Sequence, residues 1–145
     1  MRLGKFFVKI RLQTEIKDQH DRQQTELTTV GQLIQTERQA VIRFTEQMDD
    51  QPDVQTMVTV KPEQVNIKRS GGVEMNQQFK LARTTETIYR HQFGSIRMET
   101  LTEQIHFQPL LATENAELRI DYITILNGAE KREHKLLLKI EEDKS

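Results

Sequence analysis

The sequence predicts an all-β protein, an antiparallel up-and-down meander closed into a barrel of about 8–10 strands. Three observations carry that reading. Apolar residues recur at a period of two along most of the chain, the alternating runs are separated by short turn signals, and no segment shows the spacing of an amphipathic helix. An alternation of period two gives a strand one buried and one wet face, because successive side chains point to opposite sides of a sheet.

The first strand is the clearest. Phe6, Val8, Ile10, Leu12 and Ile16 alternate with Lys5, Lys9, Arg11, Gln13, Glu15 and Lys17, and only Phe7 is out of phase. KDQHDRQQ then supplies a polar hairpin tip. TELTTVGQLI makes the next strand, with Gly31 marking a bulge or a bend of the barrel. Ala40, Ile42 and Phe44 continue the pattern against Arg43 and Thr45. MDDQPD is a turn by composition, since aspartate and proline favour turn conformations. Val54, Val58 and Val60 follow, and Pro62 falls between strands, where its missing N–H breaks no ladder. Val65 and Ile67 lead to the turn RSGG, then Val73, Met75 and Phe79 alternate with Glu74, Asn76, Gln78 and Lys80. TETIYR is a short strand, and FGSIRMETLTEQIHF is a long one ending at Pro109. The loop LLATENA leads to Leu118, Ile120 and Tyr122. Asn127-Gly128 is a hairpin signal because both residues tolerate positive φ. Leu136, Leu138 and Ile140 close the chain before a charged tail.

Sequential strands with short connections make a meander, and closing it removes the exposed edges of so large a sheet. A two-sheet sandwich has the same alternation and is the alternative architecture. At 145 residues the whole chain, 1–145, is the size of one domain. Net charge is −1 with both signs interspersed, so no long-range field favours nucleic acid or an anionic membrane. The absence of cysteine removes disulfides, thiolate metal sites and a cysteine nucleophile. The start has no uninterrupted apolar run of signal-peptide length, and no stretch approaches the roughly 20 apolar residues that span a bilayer. A soluble cytoplasmic protein is the simplest expectation.

Motifs for chemistry are missing. His20, His91, His106 and His134 fall at unrelated spacings, and neither Ser70 nor Ser95 sits in a nucleophile elbow. No phosphate-binding loop occurs, and the many carboxylates read as wet strand faces. The sequence therefore suggests no catalytic residue, no metal ligand and no cofactor. Polar residues at inward phase are more informative. Arg69 follows Val65 and Ile67 at the same parity, and Gln77 lies between Met75 and Phe79. The long strand changes phase partway, because Ile96 and Met98 are even while Leu101, Ile105 and Phe107 are odd. If the second half sets the phase, Arg97 and Glu99 face inward and pair. If a bulge near Glu99 flips it, both face water.

Two segments, VNIKRSGGVEMNQQF and the run from Tyr89 through HQFGSIRMET, resemble the YwiB-like family of uncharacterised bacterial proteins. The family's features correspond here to Arg69-Ser70-Gly71, Phe93-Gly94 and Met98-Glu99-Thr100, and the hairpin Leu126-Asn127-Gly128 also fits. The family tends to have proline before its Phe-Gly step, where this chain has Gln92. The resemblance implies a calycin-like, lipocalin-like barrel in a bacterial, Firmicute cytoplasm and implies no activity. A shared fold does not carry a function with it. The functional expectation is non-enzymatic binding of a small apolar or amphipathic ligand, with Arg69, Gln77, Arg97 and Glu99 as polar contacts. The alternative is a protein-interaction or self-associating module, compatible with a homodimer, whose barrel is packed solid; Phe7, Val41, Met57 and Leu110-Leu111 are its apolar surface residues.

Overall fold

The structure, a computed structural model, describes residues 2–111 and 115–144. It contains ten strands: β1 Gly4–Lys17, β2 Arg22–Gln35, β3 Ala40–Glu46, β4 Val54–Lys61, β5 Gln64–Gly71, β6 Met75–Lys80, β7 Thr84–His91, β8 Gly94–Gln108, β9 Asn115–Leu126 and β10 Lys131–Glu142. They form one antiparallel sheet in the order β6-β5-β4-β3-β2-β1-β10-β9-β8-β7. No helix occurs among the described residues. The first and last strands pair, from Val8 opposite Glu142 to Lys17 opposite Glu133. The two sheet edges, β6 and β7, are therefore consecutive in the chain.

Those edges curl together into a nearly closed barrel without a continuous ladder. Glu74 and Arg90 exchange both backbone hydrogen bonds at 2.8 Å, and Ala82 N donates to Thr102 O at 2.9 Å. Between these points side chains replace the ladder, with the Thr85 hydroxyl donating to Gln78 O and the Thr87 hydroxyl to Asn76 O. Edge carbonyls that would otherwise template another strand are thereby occupied.

The interior divides into two halves along the barrel axis. At the lower end, where turns 36–39, 62–63 and 81–83 and both chain ends gather, the interior is aliphatic. Val8, Leu33, Ile42, Val60, Val65 and Phe79 are buried there. Leu110 seals that end. It is fully buried, and the buried Gln35 side chain accepts a hydrogen bond from Leu110 N at 2.8 Å and donates to Leu110 O at 3.3 Å. Leu110 is thus a plug and not an apolar loop residue on the surface, while its neighbour Leu111 is exposed and residues 112–114 of the same loop lie outside the described residues. Leu110 sits at inward phase only through this loop geometry, which alternation along a strand does not reach. The opposite end, the mouth, is ringed by turns 18–21, 47–53, 72–74, 92–93 and 127–130.

The phase change in β8 is a bulge, placed at Glu103 between Thr102 and Gln104. Before it, Ile96, Met98, Thr100 and Thr102 turn inward; after it, Ile105 and Phe107 do. Arg97 and Glu99 therefore lie on the outer face, and so does Leu101, which is 37% exposed. At Gly31 the pairings to Val8 and Phe44 continue without a register shift, so the glycine marks no bulge. A Cβ there would come within 2.2 Å of Arg43 O, so the position is one of close strand approach. The turn expected at Asn127-Gly128 is present, with φ of 51° and 71°.

Candidate functional site

The strands converge on a cavity of about 370 Å³ in the mouth half. Its walls are mainly apolar, from Leu12, Leu27, Phe44, Val58, Ile67 and Leu136, and Met48 and Met75 flank the opening. Register explains the polar part of the lining. Thr56 on β4 stands opposite Phe44 on β3 and Arg69 on β5, which puts all three on the inner face, with Glu46 two residues beyond Phe44.

Glu46 Oε2 binds three groups at once. Arg69 Nε donates to it at 3.1 Å, Arg69 Nη2 lies in ion-pair contact at 3.0 Å, and the Thr56 hydroxyl donates at 2.7 Å. The side chains of Arg69 and Glu46 are 22% and 16% exposed, so the pair is mostly out of water while still reachable from the cavity. Gln77 is buried and donates to Thr100 Oγ1 at 3.0 Å, joining β6 to β8 across the seam.

Tyr122 closes the inner side of the cavity. Its ring packs edge-on against Phe79 at 4.8 Å and stacks on the His134 ring at 4.5 Å with planes 7° apart. Burial holds the phenol well above its usual range, against an opposing influence of Arg69, so the hydroxyl stays protonated. No described residue hydrogen-bonds it. His134 is lowered to about 4, chiefly by desolvation and secondarily by Arg132, and its Nε2 shares a 2.7 Å hydrogen bond with the Thr124 hydroxyl. Buried Thr87, Thr100, Thr102 and Thr124 complete a hydroxyl-rich belt on the β7–β9 side, where Thr102 Oγ1 has no hydrogen-bond partner among the described residues.

Of the four polar residues singled out from the sequence, the structure brings Arg69 and Gln77 to this cavity. Arg97 and Glu99 stand elsewhere, on the outer wall. Arg97 is 47% exposed and lies 3.6 Å from Glu99 and 3.8 Å from Glu86, a surface arrangement. The buried partner expected for an inward arginine is Glu46 and not Glu99. Sequence reading did not single out Glu46, Thr56, Tyr122 and His134 as site residues, although parity marks all four: Thr56 lies between Val54 and Val58. Glu46 continues Ala40, Ile42 and Phe44; Tyr122 continues Leu118 and Ile120; His134 precedes Leu136 and Leu138. No group of acidic or histidine side chains with metal-binding geometry occurs among the described residues.

The chain is 25% identical over 134 residues to the uncharacterised β-barrel protein YwiB of Bacillus subtilis (strain 168), covering 92% of each. Its fold matches the crystal structure of ywiB protein from Bacillus subtilis with a TM-score of 0.83 at 23% identity, over 96% of this chain and 93% of that one. Residues 10–138 match the model of the family described as Domain of unknown function (DUF1934), and the chain with its ten-stranded, nearly closed barrel belongs to that family.

Proposed function

We propose that the chain is a single calycin-like barrel domain that binds a small amphipathic ligand without chemically changing it. One observation carries this reading: a cavity of about 370 Å³ with apolar walls holds a few convergent polar groups, the Arg69–Glu46 pair and the Tyr122 hydroxyl. That combination suits a small-molecule site, in which apolar surface supplies affinity and sparse polar groups set orientation. Arg69 and Gln77 are the contacts retained from the sequence reading, with Tyr122 added. Calorimetric titration against a panel of short-chain lipids and metabolites tests the proposal, with saturable one-to-one binding expected. No saturable heat from any member overturns it.

A second reading, self-association through the outer wall, draws on Phe7 and Val30. They are 65% and 64% exposed and neighbour each other diagonally across β1 and β2, where Lys9 faces Val30. Sedimentation across a concentration series distinguishes a dimer from a monomer.

A further inference from the structure

The charge balance of the cavity wall selects among amphiphiles. Three charged residues line it: Glu26, Glu46 and Arg69. Glu26 belongs to the rim, since it is half exposed and its carboxylate is held by Arg11 at 3.2 Å. That leaves Arg69 and Glu46, whose charges cancel within one ion pair. A ligand carboxylate would bring a second negative charge onto a guanidinium already neutralised by Glu46. A ligand ammonium would meet a carboxylate already neutralised by Arg69. Either ion would lose its hydration without a net opposite charge to replace it, which is strongly unfavourable away from water.

The hydrogen-bonding inventory points the same way. Both contacts to Glu46 from Arg69, and the one from Thr56, fall on Oε2. Glu46 Oε1 consequently remains as an acceptor and the terminal nitrogens of Arg69 keep N–H donors on the same pair, and the Tyr122 hydroxyl can act as either. A group that both donates and accepts, such as an alcohol or a primary amide, satisfies this set. A carboxylate only accepts and an ammonium only donates.

We infer that the barrel takes an uncharged amphiphile, with its hydroxyl or amide head against Arg69, Glu46 and Tyr122 and its short hydrocarbon tail along Leu12, Leu27 and Leu136. This deepens the proposed binding function and rests on it. The test is a calorimetric titration of the full chain at pH 7 with three ligands of one chain length: 1-octanol, octanoate and octylammonium. Octanol binding at least about tenfold tighter than either ion supports the inference. Octanoate or octylammonium binding as tightly as octanol, or more tightly, overturns the inference while leaving a ligand-binding barrel. Failure of all three to bind overturns the inference, and the panel titration then decides the binding function by itself.

Two substitutions sharpen the test. Tyr122→Phe is expected to weaken octanol about fivefold, the effect of one hydrogen bond, and an unchanged affinity removes the hydroxyl from the site. Glu46→Gln leaves Arg69 as a net positive charge and keeps an acceptor for the Thr56 hydroxyl. It is expected to reverse the order, so that octanoate binds more tightly than octanol. Retention of the wild-type order in a folded Glu46→Gln protein overturns the charge argument, with far-ultraviolet circular dichroism confirming the fold.

Discussion

Arg69 and Thr56 share one carboxylate oxygen of Glu46, so removing either charged member of the pair strands the other in a mostly buried place. Arg69→Ala and Glu46→Ala are each expected to cost about 2–4 kcal/mol in urea unfolding, somewhat below the loss from a fully buried pair. Glu99→Ala, which disrupts only an outer-wall contact, is expected to stay within about 0.5 kcal/mol of wild type. Equal losses for Glu46→Ala and Glu99→Ala would contradict the different burial of the two pairs. His134 supplies a pH dependence. Its folded pKa of about 4 lies below the ordinary 6.5, so between those values the unfolded chain binds a proton that the native state does not. Stability therefore falls as pH drops from about 6.5 toward 4 and this contribution levels off below. The ring is partly accessible, and a loss of about 1–2 kcal/mol is expected after allowing for solvent screening. The lowered carboxyls of Glu15, Asp18 and Glu142 add their own loss only below their ordinary values near 4 to 4.5. Thermal melts of His134→Gln should consequently lack most of the wild-type slope between pH 6.5 and 4.5.

The seam between β6 and β7 is where side chains replace the backbone ladder. Thr85→Val and Thr87→Val keep shape and β-propensity while removing the two hydroxyl donors. Each is expected to lower stability by about 1 kcal/mol and to speed amide exchange in β6 and β7 before β1 and β10. Exchange that rises uniformly in all ten strands would show that the seam has no separate opening. The strands themselves were legible in the sequence, because alternation reports which face of a strand is buried. In β8 the inward positions before the bulge include Thr100 and Thr102, whose hydroxyls do not announce burial, and the outward Leu101 imitates a core residue. That exchange of character put the expected bulge near Glu99, four residues before its place at Glu103, and left the orientation of Arg97 and Glu99 open. In the cavity Arg69 and Gln77 were legible by parity. Their partners were not, because parity gives the face of one strand and says nothing about which distant strand lies beside it. Glu46 reaches Arg69 across the intervening strand β4, through two registers that parity does not fix, and Thr100 reaches Gln77 only because the sheet closes.

Across the whole molecule the interior separates an aliphatic lower half, closed by Leu110, from a hollow mouth half whose apolar walls carry a few polar groups. The consequence is that stability and binding should respond to different substitutions. Leu33, fully buried opposite Ile42 in the lower half, belongs to the packed part. Leu33→Ala removes buried methyl groups and leaves a cavity that does not join the site, with an expected loss of about 2–4 kcal/mol. Octanol affinity of the folded fraction should remain within about twofold of wild type, since the strands ringing the mouth keep their own pairings. Tyr122→Phe should do the reverse, keeping the melting temperature close to wild type because no described residue hydrogen-bonds its hydroxyl, while weakening the ligand. Measuring both proteins by thermal denaturation and by calorimetry completes the comparison. Parallel loss of stability and affinity in both would mean that the mouth is held by the same packing as the lower half. Opposite responses would mean that the barrel's polar belt is maintained for its ligand, at a distance from the residues that keep the sheet closed.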